Sequence, residues 1–202
     1  MSASQQCHAR GYTRARYLVV FAMFIASAAA NAGNELQPPP QPGCDVTSVV
    51  AHVQEQFRIY GPKSQKHEFF GFIYRVDGQL ASAVIRGSEC TSPDACGIDT
   101  GAAAGRIPHR AKILGEWHSH AHRTGSRLLS KADVRGAHQN AHIRCYSAYF
   151  AGPGGEIYGW DPASTSVPVA MATLTSLGQY DVADKSAPDA YLATVEGNPP
   201  TP

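Results

Sequence analysis

The segment EFFGFIYRVDGQLASAVIRG, from Glu68 to Gly87, constrains the fold more than any other part of the chain. Two runs rich in β-branched and aromatic residues flank the dipeptide Asp77-Gly78. This dipeptide tolerates the positive φ angles of a type I′ turn, so the segment predicts an antiparallel hairpin. Any fold for this chain therefore contains a β-sheet built on that hairpin.

A helix is predicted before the hairpin, from Asp45 to about Tyr60. Asp45 is a suitable N-cap, and the apolar residues after it have the i, i+3, i+4, i+7 and i+11 spacing of one helix face. These residues are Val46, Val49, Val50, Val53 and Phe57. The pair Gly61-Pro62 then ends the pattern.

Further elements are predicted after a loop that runs from Ser88 to about Arg110. They are a strand in AKILGEWHSH, a helix from Ser130 to His142, and strands in RCYSAYFAG, EIYGW and VPVAMATL. This order predicts a mixed α/β (α+β) fold in which one curved mixed β-sheet has two flanking helices, and not the regular alternation of a doubly wound fold. The domain is predicted to span residues 44–175, with a loosely ordered tail over 176–202.

The N-terminal region, residues 1–32, has the pattern of a secretory signal peptide. Three arginines precede an apolar run from Tyr17 to Ala30, and Ala30-Asn31-Ala32 fits a signal-peptidase site. A single membrane anchor is the alternative, but the run is shorter than the ~20 apolar residues that span a bilayer. The sequence thus predicts a secreted or periplasmic protein, with residues 33–43 as a proline-rich linker and no stable membrane anchor after cleavage.

The charge balance argues against nucleic acid as a partner. The formal net charge is +1, and removal of the signal peptide with its three arginines lowers it to −2. Binding to phosphates needs a concentrated surplus of lysine and arginine, which this chain does not have.

Four cysteines remain after the signal peptide, and an even number in an exported chain favours disulfides. Cys90 and Cys96 bracket a short polar loop, so the preferred pairing is Cys90–Cys96 with Cys44–Cys145. A zinc site of cysteine and histidine is the rival interpretation, but the chain has no CxxC spacing to support it.

The stretch GEWHSHAHRTGSRLLSKAD, residues 115–133, holds the candidate chemistry. His118 and His120 are two residues apart on a predicted strand, so both imidazoles point to one face. Asp133 lies in the first turn of the next helix, which can carry its carboxylate back over the end of the strand. Two histidines and one carboxylate leave a fourth position for water, which is the arrangement of catalytic rather than structural zinc.

A general base and a capping residue complete the prediction. Spacing alone prefers Glu116 as the base, since it shares the histidine face of the strand, while Glu68 is the alternative from the adjacent hairpin strand. Ser130 either reaches the open coordination position or caps the helix near Asp133, and does both only in alternation. The other histidines are assigned no ligand role: His122 is a loop or substrate contact, and His109, His138 and His142 are solvated.

The order Glu68, then His118 and His120, then Ser130 and Asp133 resembles the JAMM zinc-metalloprotease motif of the JAB/MPN superfamily. The similarity extends to a bacterial JAB-like domain of unknown function found in exported and polymorphic-toxin proteins, and covers residues 45–162. It implies a cytidine-deaminase-like JAB/MPN architecture and Zn²⁺ held by the two histidines and the aspartate. It also implies Glu68 as the general base and Ser130 as a stabiliser of the oxyanion.

By this resemblance the protein is a zinc metallopeptidase or isopeptidase whose partner is a protein or peptide substrate. An inactive binding module and a toxin or effector domain are the alternatives. The chain departs from the family pattern in one place, since the nine residues 121–129 between His120 and Ser130 exceed the usual gap by two. Such an insertion costs little in loop-closure entropy, but it affects the position of Ser130 over the metal.

Overall fold

The computed structural model describes residues 43–92, 95–123, 125–164 and 174–184. The predicted signal peptide and nearly all of the proline-rich linker lie outside these residues, as does most of the predicted strand VPVAMATL. Within the described part of the chain, no helix is both long enough and apolar enough to cross a membrane.

The first helix, α1, spans Val46–Tyr60 and confirms the predicted element. Its N-cap is Asp45, whose side chain accepts a hydrogen bond from the Ser48 N–H at 3.1 Å. A short 3-10 helix, Gly61–Lys63, follows directly and contains the proline that ends the helical pattern.

Two more helices follow the hairpin, of which only the second was predicted. The five-residue helix α2, Thr100–Ala104, lies in the segment predicted as loop, and the Asp99 side chain caps it. Helix α3 spans Lys131–Gln139 and ends three residues before the predicted end at His142. The prediction of two helices was therefore wrong, because it missed α2. Five residues are too few to show a helical period.

Six strands form one mixed sheet in the order β2-β1-β3-β4-β5-β6, in which only β3 and β4 run parallel. This confirms a mixed α+β fold on a single mixed sheet. The strands are β1 His67–Val76, β2 Gln79–Glu89, β3 Lys112–Ser119, β4 Ser147–Ala151, β5 Glu156–Trp160 and β6 Thr175–Gln179.

The last strand, β6, extends past residue 175, where the domain was predicted to end. It pairs antiparallel with β5, and Tyr180 directly after it is buried in the core. The ordered structure therefore continues through at least residue 180, and a loosely ordered tail from residue 176 does not describe this segment. The tail was predicted from its proline, aspartate and alanine content, all of which follows residue 180.

The hairpin has the predicted turn. Val76 pairs with Gln79, and the two residues between them have positive φ angles of 49° at Asp77 and 81° at Gly78. Strand β1 thus has β2 on one side and β3 on the other, which places it next to the histidine-bearing strand.

The sheet is covered on both faces. Helix α1 packs through Val49, Val53 and Phe57 on the face that carries Trp117 and Tyr149. Helices α2 and α3 pack on the opposite face, through Ala103 against Phe70 and Phe72, and through Ala137 against Phe150 and Trp160. The candidate site lies on this second face.

Candidate metal centre

Strand β3 divides its side chains between the two faces of the sheet, and this sets the position of the histidines. Trp117 is fully buried in the α1-side core, and Ser119 shares that side. His118 and His120 point to the other side and are almost fully buried, at 5% and 4% exposure. The sheet continues past His118 on both sides, since Phe70 of β1 and Phe150 of β4 are its cross-strand neighbours.

The structure brings the three predicted ligands together. His118 Nε2 lies 3.2 Å from His120 Nε2. Asp133 Oδ2 lies 3.7 Å from His118 Nε2 and 3.9 Å from His120 Nε2. The longer loop between His120 and Ser130 therefore does not prevent Asp133 from reaching the strand.

These distances fit a tetrahedral zinc ion. With Zn–N and Zn–O bonds of about 2.0–2.1 Å, ligand atoms at the corners of a tetrahedron lie about 3.3 Å apart. The three observed separations, 3.2 to 3.9 Å, are close to that edge length. Two imidazole nitrogens and one carboxylate oxygen are also a ligand set that zinc accepts, and they leave a fourth corner open.

The His120 ring is oriented by the loop that follows it. Its Nδ1 contacts the carbonyl oxygen of Ser126, and because a carbonyl only accepts, Nδ1 carries the proton. In the neutral ring this leaves the lone pair on Nε2, which faces His118 and Asp133. A backbone partner of this kind is the usual support for a metal-binding histidine.

The electrostatics of the cluster favour the ligand forms of two of its members. Burial lowers the pKa of His118 to about 4, although the nearby Asp133 opposes that shift, so the ring is neutral at pH 7. Burial raises the pKa of Asp133, but His118, His120 and Ser130 lower it by a larger amount. The resulting pKa of Asp133 is well below its usual value. For His120, burial lowers the pKa, while Asp133, Glu68 and the Ser126 carbonyl raise it, with a net increase.

Ser130 holds Asp133 through a reciprocal capping box. The Ser130 hydroxyl accepts from the Asp133 N–H at 3.1 Å, and Asp133 Oδ2 accepts from the Ser130 N–H at 2.7 Å. Capping uses a lone pair of the hydroxyl and leaves its O–H free to donate. The structure thus shows Ser130 as the cap of α3, and its reach to the open coordination position stays a prediction.

Glu68 lies at the edge of the same cluster. It is the second residue of β1, beside an irregularity in the β1–β2 pairing between His67 and Phe69. Burial raises the pKa of Glu68 to about 7, with His120 lowering it and Asp133 raising it. One carboxylate oxygen is within 4.8 Å of both sulfurs of the Cys90–Cys96 disulfide.

Glu116 is on the same face, but it is engaged by the protein. The Tyr146 hydroxyl donates to Glu116 Oε2 and accepts from Asn140 Nδ2 at 3.0 Å. Burial raises the pKa of Glu116 to about 7, and the Tyr146 hydrogen bond works in the opposite direction. Both candidate bases therefore have similar acidity, and they differ in what surrounds them.

One cleft of about 930 Å³ contains the cluster and both candidate bases. Its lining includes all five residues of the predicted motif, together with Glu116, Ser126 and a set of apolar side chains. The site is therefore open to a ligand much larger than water.

The remaining histidines lie outside the cluster. His122 has its two ring nitrogens 2.7 Å from the carbonyl oxygens of Pro153 and Gly61, so it fixes the loop after β3. His138 is half-buried and its ring contacts Trp160 edge-on at 5.0 Å, where the sequence predicted a solvated side chain.

The last two histidines agree with the prediction of solvated side chains. Helix α3 ends at Gln139, and His142 is exposed beyond it with Nδ1 near the Gln139 carbonyl at 2.9 Å. His109 is exposed, as predicted.

Several residues that shape the site were not predicted. Tyr146 and Asn140 engage Glu116, and Ser126 contacts His120 only through its backbone. On the opposite face Ser119 Oγ accepts from the Phe69 N–H at 3.1 Å and lies 2.6 Å from Ser64 Oγ. Ser64 follows the 3-10 helix in a polar segment and Ser119 ends β3, so neither serine carries a sequence signal that indicates this contact.

No protein-family model, curated protein or solved structure matches this chain. A function for the protein therefore has to be inferred from the geometry and chemistry of this cleft.

Proposed function

We propose that the protein is an exported zinc-dependent metallopeptidase or isopeptidase of the JAB/MPN type. The observation that carries this proposal is the convergence of His118, His120 and Asp133 at zinc-like spacing, with Glu68 in the same cleft. The two disulfides, Cys44–Cys145 and Cys90–Cys96, have the predicted pairing and suit an oxidising compartment.

His118, His120 and Asp133 would hold the metal. When bound there, zinc would polarise the scissile carbonyl and make a coordinated water more acidic. The protein supplies the proton transfer around that chemistry.

Glu68 is the proposed general base. Its carboxylate takes a proton as the water oxygen bonds to the carbonyl carbon, and the same proton passes to the amine as the C–N bond breaks. The pKa of about 7 applies to the metal-free cleft, and the charge of bound zinc would lower it, so the Glu68 carboxylate would be ionised and able to accept the proton near neutral pH. Ser130 would donate its free O–H to the developing oxyanion while it continues to cap α3.

One contact and a difference in burial favour Glu68 over Glu116 as the base. The Tyr146 hydroxyl already donates to the Glu116 carboxylate, which occupies one of its oxygens. Glu116 also lies deeper in the fold, at 6% exposure, whereas Glu68 is half-buried. The base is expected to be the carboxylate with access to substrate.

Three variants test the proposal on the mature protein loaded with zinc. His118→Ala removes a ligand and is expected to lose both bound zinc, measured by elemental analysis, and hydrolysis of a peptide library. Glu68→Gln is expected to keep stoichiometric zinc and lose turnover by at least about 100-fold. Glu116→Gln is the matched control, with the same chemical change in the same cleft, and is expected to retain turnover.

The outcomes separate the alternatives. Full activity of Glu68→Gln with loss of activity in Glu116→Gln would move the base to Glu116. Stoichiometric zinc in the unaltered protein without cleavage of any peptide or isopeptide would instead indicate a binding module.

A further inference from the structure

Leu128 stands apart from the other apolar side chains of the protein. It is 46% exposed and is the one large hydrophobic side chain that is exposed among the described residues. It lines the cleft that holds the metal cluster. An exposed leucine keeps apolar surface in contact with water, and here that surface forms part of the wall of the cleft, where a ligand can cover it.

Leu128 is held in its place in the loop by contacts of the residues on either side of it. Its N–H donates to Ser126 Oγ at 3.0 Å, and the Ser126 carbonyl is the partner of His120. The next residue, Leu129, packs into the apolar cluster of Phe150 and Trp160 under α3. Leu129 is half-buried on that cluster and also lines the cleft, whereas Leu128 is exposed there.

Apolar side chains also line the cleft from β1 and from the segment before α2. Phe70 is the cross-strand neighbour of His118, and Ile98 packs on the cluster that contains Phe70. The lining of the cleft thus includes ionisable residues and apolar residues, and Phe70 lies directly beside the metal cluster. The cleft therefore combines a polar reaction centre with apolar surface.

We propose that Leu128, Ile98 and Phe70 form a subsite for a large apolar side chain of the substrate, next to the bond that is cleaved. The inference rests on the proposed function and adds to it the substrate class: peptides with an aliphatic or aromatic residue beside the scissile bond. Leu128 is the specificity-determining residue, since it is the exposed member of the three.

The test separates binding from turnover. Zinc-loaded Glu68→Gln protein, which keeps its three zinc-binding residues, is titrated with blocked peptides. These peptides differ only in the residue beside the scissile bond, which is leucine, glycine or aspartate. The leucine peptide is expected to bind at least about tenfold more tightly than the glycine peptide. Leu128→Asp in this background is expected to abolish that preference, and Leu128→Met to preserve it.

Arg127→Ser is the matched control, since Arg127 is an exposed neighbour in the same loop and is not part of the cleft lining. It should leave the preference unchanged, and zinc content should be equal in all four proteins. Equal affinity for the three peptides, or a leucine preference that survives Leu128→Asp, would overturn the subsite. A leucine preference in binding, with no hydrolysis by the protein that retains Glu68, would overturn the proposed function and leave the subsite standing.

Discussion

Glu116 carries a buried carboxyl group whose ionisation opposes folding. Burial raises its pKa from 4.5 to about 7, and the Tyr146 hydrogen bond offsets only part of that shift. Between these two pH values the folded protein keeps a proton that the unfolded chain releases. The contribution of Glu116 to the free energy of unfolding therefore falls as the pH rises through this window.

Replacement by glutamine removes this pH dependence, because glutamine is a neutral side chain of the same shape. Glu116→Gln is expected to gain stability relative to the unaltered protein between pH 4.5 and 7, by up to roughly 3 kcal/mol. Urea unfolding of the metal-free proteins at pH 5 and pH 8 measures the difference. If the two proteins differ by the same free energy of unfolding at both pH values, the carboxyl group of Glu116 has an ordinary pKa in the folded state.

Ser130 is assigned two tasks, and two substitutions separate them. Ser130→Ala removes the cap of α3, at a cost of about 1 kcal/mol, and frees Asp133, so zinc affinity is expected to fall. Ser130→Asn keeps an N-cap but lacks the hydroxyl, so it is expected to bind zinc normally and to lose turnover by about 100-fold. Zinc titration and peptide hydrolysis measure the two effects. Normal turnover in Ser130→Asn would reduce the role of Ser130 to positioning Asp133.

At the scale of elements, the loop from Ala121 to Leu129, which joins β3 to α3, positions the His120 ring. The Gly125 N–H donates to the Ala121 carbonyl at 2.7 Å, and this turn delivers the Ser126 carbonyl to His120. A Cβ at Gly125 would lie 2.4 Å from the Ala121 oxygen and 2.9 Å from the His120 Cβ. The turn therefore requires glycine at this position.

Gly125→Ala is expected to displace the loop and reduce zinc affinity by about 10- to 100-fold, the usual effect of losing a partner of a metal-binding histidine. The measurement is competition for zinc with a chromogenic chelator. Gly136→Ala is the matched control, because a Cβ at Gly136 has nothing within 4 Å. It should keep zinc affinity and add up to about 1 kcal/mol of stability to α3. Equal zinc affinity in both variants would show that the Ser126 contact does not support His120.

The elements that the sequence predicts well are those with a long period or a specific turn. Helix α1 has five apolar residues on one face, and Asp77-Gly78 fits only a few turn types, so both were predicted almost to the residue. Helix α2 is too short to show a period. Strand β6 has a glycine as its fourth residue and only one buried or half-buried apolar residue, Leu177, so alternation did not reveal it.

The same distinction applies to the site. The spacing of His118 and His120 on a strand predicts their common face, because side chains alternate along a strand. The contact of Glu116 with Tyr146 joins residues 30 positions apart, and the support of His120 is a backbone carbonyl. Neither leaves a pattern in a single sequence, since contacts across the fold depend on how the elements pack.

At the scale of the whole molecule, the two disulfides have different tasks. Cys44–Cys145 joins residues 101 positions apart and links the start of α1 to the segment before β4. Cys90–Cys96 closes a loop with a separation of only 6 residues, and Cys96 lines the cleft next to Glu68. Loop-closure entropy gives the first about 4.7 kcal/mol of stabilisation and the second about 2 kcal/mol.

Paired serine substitutions are therefore expected to separate stability from turnover. Cys44→Ser with Cys145→Ser should lower Tm more, because the longer loop regains more entropy when it unfolds. Cys90→Ser with Cys96→Ser should lower Tm less and reduce kcat/KM more, because the wall beside Glu68 loses its covalent closure. Calorimetry and peptide hydrolysis by the zinc-loaded proteins, well below the lower Tm, measure both effects. A larger loss of turnover in the Cys44 and Cys145 variant, at equal zinc content, would mean that the cleft depends on the global tether rather than on the local disulfide.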